Sequence, residues 1–241
     1  MDVVTAPAKL TLSLRVTGVR DDGYHLVDAV MVSLDLADTL TFGPGDGLVV
    51  EEAGTGLPVP ADDDNLVRRA LRAVDRIAAV HLVKRIPAGG GLGGGSADAA
   101  AVLRWAGRAA TAADVALAAG LGADVPFCLR GGRARVTGIG EVLVPEPHVD
   151  ATYTLVVPPF GCSTPAVYAA WDALGGPTAD GPNDLEPAAL VVEPRLAAWR
   201  DALGAATGET PVLAGSGSTW FVPGAHPGPD RLVVRTTPPL A

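Results

Sequence analysis

The 241-residue chain is 48% apolar and 19% charged, enough to bury a substantial core and too apolar for disorder. At roughly 150 residues per domain, this length makes one large or two small domains. A formal charge of −9 excludes a broad electrostatic grip on nucleic acid or anionic lipid and leaves room for a local pocket holding one phosphate group. Gly (30) and Pro (21) make up about a fifth of the chain, yet no Gly-X-Y period or internal repeat is present. Cys128 and Cys162 are too few for a zinc knuckle or a disulfide framework. The N-terminus lacks a basic signal-peptide region, and no apolar run approaches the ~18 residues of a membrane span. These features predict a cytoplasmic protein with reduced thiols. Only two of the 18 basic residues are Lys, at positions 9 and 84, and Asn occurs only at 65 and 183. In a chain that favours Arg, a Lys marks a place for a compact charge with a tunable pKa.

Residues 3–16 alternate in their second half and predict a half-buried strand, with Leu10, Leu12, Leu14 and Val16 on one face and Lys9, Thr11, Ser13 and Arg15 on the other. A turn at 20–23 leads into an extended apolar stretch over 24–36, then short strands over 39–42 and 48–52. A polar loop covers 54–64. Helical spacing over 65–80 is followed by a strand over 81–86, a glycine cluster and an Ala-rich helix over 97–110. Thr111 and Asp114 form a capping box for the next helix, which Gly120 ends. Strands are expected over 133–144 and 153–157, helices around 165–174 and 194–206, and strands near 219–222 and 232–236. The mixture lacks a regular βα period, so the fold class is α+β with two layered halves. The Pro-rich stretch 145–150 is the best boundary, giving domains 1–147 and 148–241.

The segment Ile86-Pro87-Ala88-Gly89-Gly90-Gly91-Leu92-Gly93-Gly94-Gly95-Ser96-Ala97 is the most informative. Glycines let main-chain N–H groups approach a ligand without side-chain clash. A helix N-terminus just beyond supplies unpaired donors and a partial positive charge. Together they suit nucleotide phosphates. Ser96 can cap the helix or touch a phosphate, and Asp98 suits its first turn. Gly89-x-Gly91-x-x-Gly94 matches a dinucleotide fingerprint formally, but the acidic residue about 20 positions on, Asp114, starts a helix rather than ending a strand. No Gly-Lys-[Ser/Thr] follows, so the loop is not a Walker loop. Asp124, in Gly122-Ala-Asp-Val-Pro126, sits at the edge of an apolar segment and also suits a turn or cap. The loop 213–219 either approaches a second phosphate or makes a tight turn.

In order, Ala6-Pro-Ala-Lys9-Leu10, Asp22-Gly23-Tyr24-His25, the glycine loop, Leu121-Gly-Ala-Asp124-Val-Pro-Phe127, Gly138-Ile-Gly-Glu141, Ser163-Thr164-Pro165, Asn183-Asp-Leu185 and Gly215-Ser-Gly-Ser218 span nearly the whole chain. This set resembles the 4-diphosphocytidyl-2-C-methyl-D-erythritol kinase family, within the small-molecule kinases that include galactokinase, homoserine kinase and mevalonate kinase. The resemblance implies an N-terminal half like ribosomal protein S5 domain 2, a ferredoxin-like C-terminal half and an active site in the cleft between them. It implies ATP-dependent phosphorylation of the 2-hydroxyl of a cytidine-diphosphate-linked methylerythritol in non-mevalonate isoprenoid synthesis. Mg²⁺ would accompany ATP, no residue is assigned as a metal ligand, and the protein would be a monomer or homodimer.

By the same resemblance, Asp124 is the general base and Lys9 its charge partner. Pro87, Gly89, Gly90, Gly91, Leu92, Gly93, Gly94, Gly95 and Ser96 would hold the ATP phosphates, with Asn65 and Lys84 near the base and ribose. Thr11, Tyr24, His25, Met31, Thr164, Pro165 and Tyr168 would form the substrate site. Thr11 replaces a usual Asn, Met31 a common aromatic, and Ala97 a Ser that could touch phosphate or metal. The alternatives are another alcohol kinase of the homoserine or mevalonate type, or a catalytically silent nucleotide-binding protein.

Overall fold

The computed structural model describes residues 1–53 and 57–240, so 54–56 of the expected polar loop lie outside the described residues. Two long antiparallel strands, β1 (Asp2–Val19) and β2 (His25–Gly43), form the spine. The stretches 24–36 and 39–42 are therefore one strand, because β1 offers β2 an unbroken partner along its length. β2 also pairs with β4 (Ala79–Lys84) through 39–43 and with β5 (Arg133–Gly138) through 27–32. β3 (Gly47–Glu52) runs parallel to β4 and β6 (Val142–Glu146) antiparallel to β5.

Alternation fails over Ala8–Thr11, where every residue is buried, Lys9 and Thr11 included, while Leu12 and Val16 are only partly covered. The cause is that loops cover the second face of β1, so this part of the strand is not half-buried. The expected helix over 65–80 stops early: α1 is Leu66–Ala73, and Asp75 has a φ of 52° that leaves the helical region. Val80 instead pairs with Phe42 and Leu48 in the sheet. The single strand expected over 133–144 is a hairpin, with Gly138 (φ 73°) and Gly140 (φ 121°) turning β5 into β6.

Helix α2 (Gly94–Trp105) packs on β1 and against α1 and α4 (Val125–Arg130). It starts at Gly94 and stops before Gly107, whose φ is 82°, rather than spanning 97–110. The Thr111 capping box opens α3 (Ala112–Ala119), with Gly120 at its end. The second half is an antiparallel sheet of β7 (Thr152–Val156), β8 (Val212–Leu213), β9 (Trp220–Pro223) and β10 (Arg231–Thr237), with α5 (Thr164–Ala173), α6 (Glu186–Val192) and α7 (Leu196–Thr207). α4, α6 and β8 were not expected, being too short to show a period. β10 joins the sheets by pairing Thr236 and Thr237 with Leu34 and Ser33 of β2. The molecule is thus α+β, with ten strands in one connected sheet among the described residues.

A buried carboxylate clasps the two halves. Asp184 accepts hydrogen bonds from Arg15 Nη1 (2.7 Å), Val16 N (2.9 Å) and Ala179 N (3.0 Å). Asp184→Ala leaves three partly buried donors without their acceptor and is expected to cost about 1–2 kcal/mol in urea unfolding; a stability within error of the native chain would show that the clasp is not structural.

Candidate active site

The backbone of β1 is tied to the glycine loop by Lys9 N donating to Leu92 O at 3.0 Å. The Lys9 side chain then runs beneath Gly93, where an added Cβ would lie 2.8 Å from Lys9 Cγ. Its ammonium reaches Asp124 Oδ2 at 3.3 Å and donates to Thr11 Oγ1 at 3.2 Å. Lys9 is 5% exposed, whereas the Asp124 side chain keeps 31%. Asp124 stands at the N-cap of α4, which buried Val125, Pro126 and Phe127 seat in the core. Its carboxylate caps nothing, so it is left to face the ammonium. The loop 213–217 approaches from the second half: a Cβ on Gly215 would lie 3.7 Å from Lys9 Nζ.

Gly89, Gly91 and Gly93 have φ of 78°, 76° and 71°, left-handed values that suit glycine. Gly93 is the N-cap of α2, so the amides of Gly94, Gly95 and Ser96 open the helix without intrahelical acceptors. Ser96 is therefore not the cap. Asp98 lies past the first turn and is buried against Lys84 instead of serving the helix dipole. Ala97 is buried as well, so the hydroxyl missing there belongs to a packing position. The loop 213–219 makes a tight turn behind the glycines, with Thr219 N donating to Gly90 O at 3.1 Å. Asn183 holds that turn by donating to Leu213 O and Gly215 O at 2.8 and 2.7 Å.

The other expected residues divide. His25 lies 4.6 Å from the Tyr168 ring centroid, meets Trp171 edge-on and places Nε2 2.8 Å from Asp172 Oδ1. Tyr168 is pushed up to about 12 by burial, with the charge of Asp124 adding to it, so the phenol stays neutral. Thr164 Oγ1 meets Ser216 Oγ at 2.7 Å across the loops, and Pro165 follows in the first turn of α5. Met31 is buried opposite Thr11 in the β1–β2 ladder. Tyr24 is 60% exposed with its ring beside Arg20.

Asn65 and Lys84 are turned to structural partners. Asn65 caps α1, accepting from Val67 N at 2.9 Å and donating to Pro60 O at 2.7 Å. Lys84 is buried between Asp38 and Asp98. Sequence reasoning missed Asp38 and Asp172; the signal for Asp38 was an acidic residue between two strand-like runs. A cavity of about 860 Å³ between 178–187 and α7 includes none of the expected site residues.

A lysine–carboxylate pair beside a glycine loop and helix N-terminus, on this α+β frame, defines a kinase of small molecules. In agreement, residues 65–132 match the model of the GHMP kinases N terminal domain. The chain is 41% identical over 236 residues to the 4-diphosphocytidyl-2-C-methyl-D-erythritol kinase of Paracoccus denitrificans, covering 90% of this chain and 84% of that protein. It is 43% identical over 246 residues to the enzyme of the same name from Ruegeria pomeroyi, covering 90% and 86%. A crystal structure of 4-(cytidine 5'-diphospho)-2C-methyl-D-erythritol kinase superposes with a TM-score of 0.72 at 32% identity, covering 98% of this chain and 99% of that one. The chain belongs to the 4-diphosphocytidyl-2-C-methyl-D-erythritol kinase family.

A Cβ on Gly91 would lie 2.6 Å from Gly217 O and 2.7 Å from Ala214 O, in a left-handed backbone. Gly91→Ala is expected to lose at least about 2 kcal/mol of stability, read as a lowered thermal midpoint. An unchanged midpoint would show that this close approach is not needed.

Proposed function

We propose that the protein transfers the γ-phosphoryl group of ATP to the 2-hydroxyl of 4-diphosphocytidyl-2-C-methyl-D-erythritol, a step of non-mevalonate isoprenoid synthesis. The observation that carries this reading is the 3.3 Å pair of Lys9 and Asp124 beside the glycine loop. An alcohol attacks poorly unless its proton leaves as the bond forms, and the partly exposed Asp124 carboxylate can receive it. Lys9 is aimed at the same place and offsets negative charge on the moving phosphoryl group. The loop 87–96 supplies main-chain donors to the phosphates, and Leu92 anchors it in the core.

The reading divides the chain into a nucleotide-binding part, 1–147, and a substrate-binding part, 148–241. His25, Tyr168 and Thr164 are the groups offered to the cytidine end, and Thr11, Met31, Tyr24 and Pro165 complete the substrate site in this reading. Tyr168 and the 213–217 loop bring the second part to the Lys9–Asp124 pair. Among the described residues no group of three or more His, Cys, Asp or Glu could hold a metal. Mg²⁺ arriving with ATP would offset charge on the phosphates held by the loop 87–96. Among the described residues no helix is long and apolar enough to cross a membrane.

Lys9→Ala and Asp124→Asn are each expected to lower kcat at least ~100-fold in an ADP-release assay while ATP still binds; near-normal turnover in both would defeat the mechanism. Offered the cytidine-diphosphate substrate, homoserine and mevalonate separately, the enzyme is expected to turn over only the first. Turnover of only homoserine or mevalonate would move it to another branch of these kinases.

A further inference from the structure

Beneath the N-terminus of α2 lies a second charge cluster that the phosphoryl transfer above leaves unused. Lys84 ends β4 just before the glycine loop, and Asp98 lies in α2 just after it. Asp38 stands in β2 next to the Thr39–Val83 pair. Lys84 Nζ donates to Asp38 Oδ2 and, at 2.8 Å, to Asp98 Oδ2. The other oxygen of Asp38 accepts from the amides of Arg85 (2.5 Å) and Ile86 (2.8 Å). Lys84, Asp38 and Asp98 are 3%, 0% and 2% exposed. A Cβ on Gly94 would lie 3.1 Å from Lys84 Nζ, which puts the ammonium directly under the first turn of the helix.

We infer that Lys84, Asp38 and Asp98 are positioning residues for the phosphate loop and couple its occupation by nucleotide to uptake of a proton within the cluster. The inference rests on reading 87–96 as the ATP phosphate site. One ammonium ties the strand entering the loop to the helix leaving it, so both ends of the 87–93 span are set by the same three side chains. Asp38 also ends the strand by taking the two amides that lead into Pro87.

The charges supply the coupling. Two carboxylates and one ammonium leave an excess negative charge when all are ionised, under amides that receive an anion. Burial first, and the charge of Asp38 with it, push the Asp98 carboxyl up to about 7 against the pull of Lys84. Asp98 Oδ1 has no hydrogen-bond partner, which further disfavours the buried ion. Burial works to lower Lys84, but the two carboxylates outweigh it and raise it, so the ammonium keeps its charge. From α4, burial pushes the Cys128 thiol up to about 12, so it stays neutral. From β1, Lys9 is engaged with Asp124 and Thr11. From α1, Arg68 and Arg72 are engaged with Asp63. Asp98 is therefore the carboxyl of the cluster that its surroundings push up. Burial, the neighbouring Asp38 charge and the unpartnered Oδ1 favour its neutral form, and a polyphosphate overhead favours that form further. Binding takes up a proton, and affinity falls as pH rises.

Titration calorimetry of the full chain with a non-hydrolysable ATP analogue, between about pH 6 and about pH 8.5 and in two buffers of different ionisation enthalpy, reads both effects. The native protein is expected to lose roughly three- to ten-fold in affinity across this range and to show buffer-dependent heats of proton uptake. Asp98→Asn keeps a neutral acceptor for Lys84 and is expected to remove this part of the pH dependence, leaving only the titration of the nucleotide itself. Lys84→Met is expected to raise Kd and KM for ATP by about ten-fold or more, with a smaller change in kcat. If Lys84→Met does not fold, the native and Asp98→Asn profiles decide alone. Identical profiles and proton uptake in those two would overturn the coupling, and a folded Lys84→Met binding within about two-fold of native would overturn the positioning role. If the native chain binds no ATP analogue at all, this inference fails together with the reading of the loop; binding without the differences above sinks this inference alone.

Discussion

Lys9 reaches Asp124 by passing under a residue that has no side chain. With less room at position 93 than a methyl group needs, any other residue would lift the glycine loop from β1 or push the ammonium off its carboxylate. The same economy repeats on the far side of the loop, where Gly91 lies against the carbonyls of Gly217 and Ala214. Three pieces of backbone from distant parts of the sequence meet here, with the Lys9 side chain threaded between the first two, and the Lys9–Asp124 pair lies at their meeting point. Packing at this density transmits small displacements instead of absorbing them. Asn183, far from the pair in sequence, belongs to the site for this reason: it fixes the third of those backbones.

The two lysines show how one residue type is set to different tasks by surroundings alone. Lys9 faces a single carboxylate that keeps about a third of its surface in solvent, an arrangement open to a reacting group. Lys84 faces two carboxylates with almost no solvent access, an arrangement closed to any substrate. Burial of an ion pair is costly and is retained where geometry matters more than stability. The strand and helix on either side of the glycine loop are such a place.

Much of this was legible in the sequence because the decisive residues are rare or conformationally special. A scarcity of Lys picked out positions 9 and 84, and both prove to be buried in ion pairs. The glycine run announced the loop, and Thr111 with Asp114 announced a cap. What stayed hidden depends on partners distant in sequence. Nothing local shows that Asp38 takes Arg85 and Ile86, or that Asp172 meets His25. Periodicity misled where a second layer covers a strand, as over Ala8–Thr11, and where apolar spacing ran through a turn, as over 74–80. Asn65 drew attention as a scarce type, yet its side-chain oxygen caps α1 and its amide nitrogen donates to Pro60 O.

The pairing of β10 with β2 carries a consequence for biosynthesis. Strands β4 and β5 leave a gap on the edge of β2 at Leu34 and Ser33, and the segment that fills it is Thr236–Thr237. The neighbouring contact, Arg235 N to Asp35 Oδ1, spans 200 positions. While the ribosome is still translating, that notch stays open, and the nascent N-terminal half carries unpaired strand edge for as long as about ten seconds or more at ordinary elongation rates. Closure of the notch thus waits until residues 236 and 237 have left the ribosome, and a chain cut short before them would present its open notch to its neighbours.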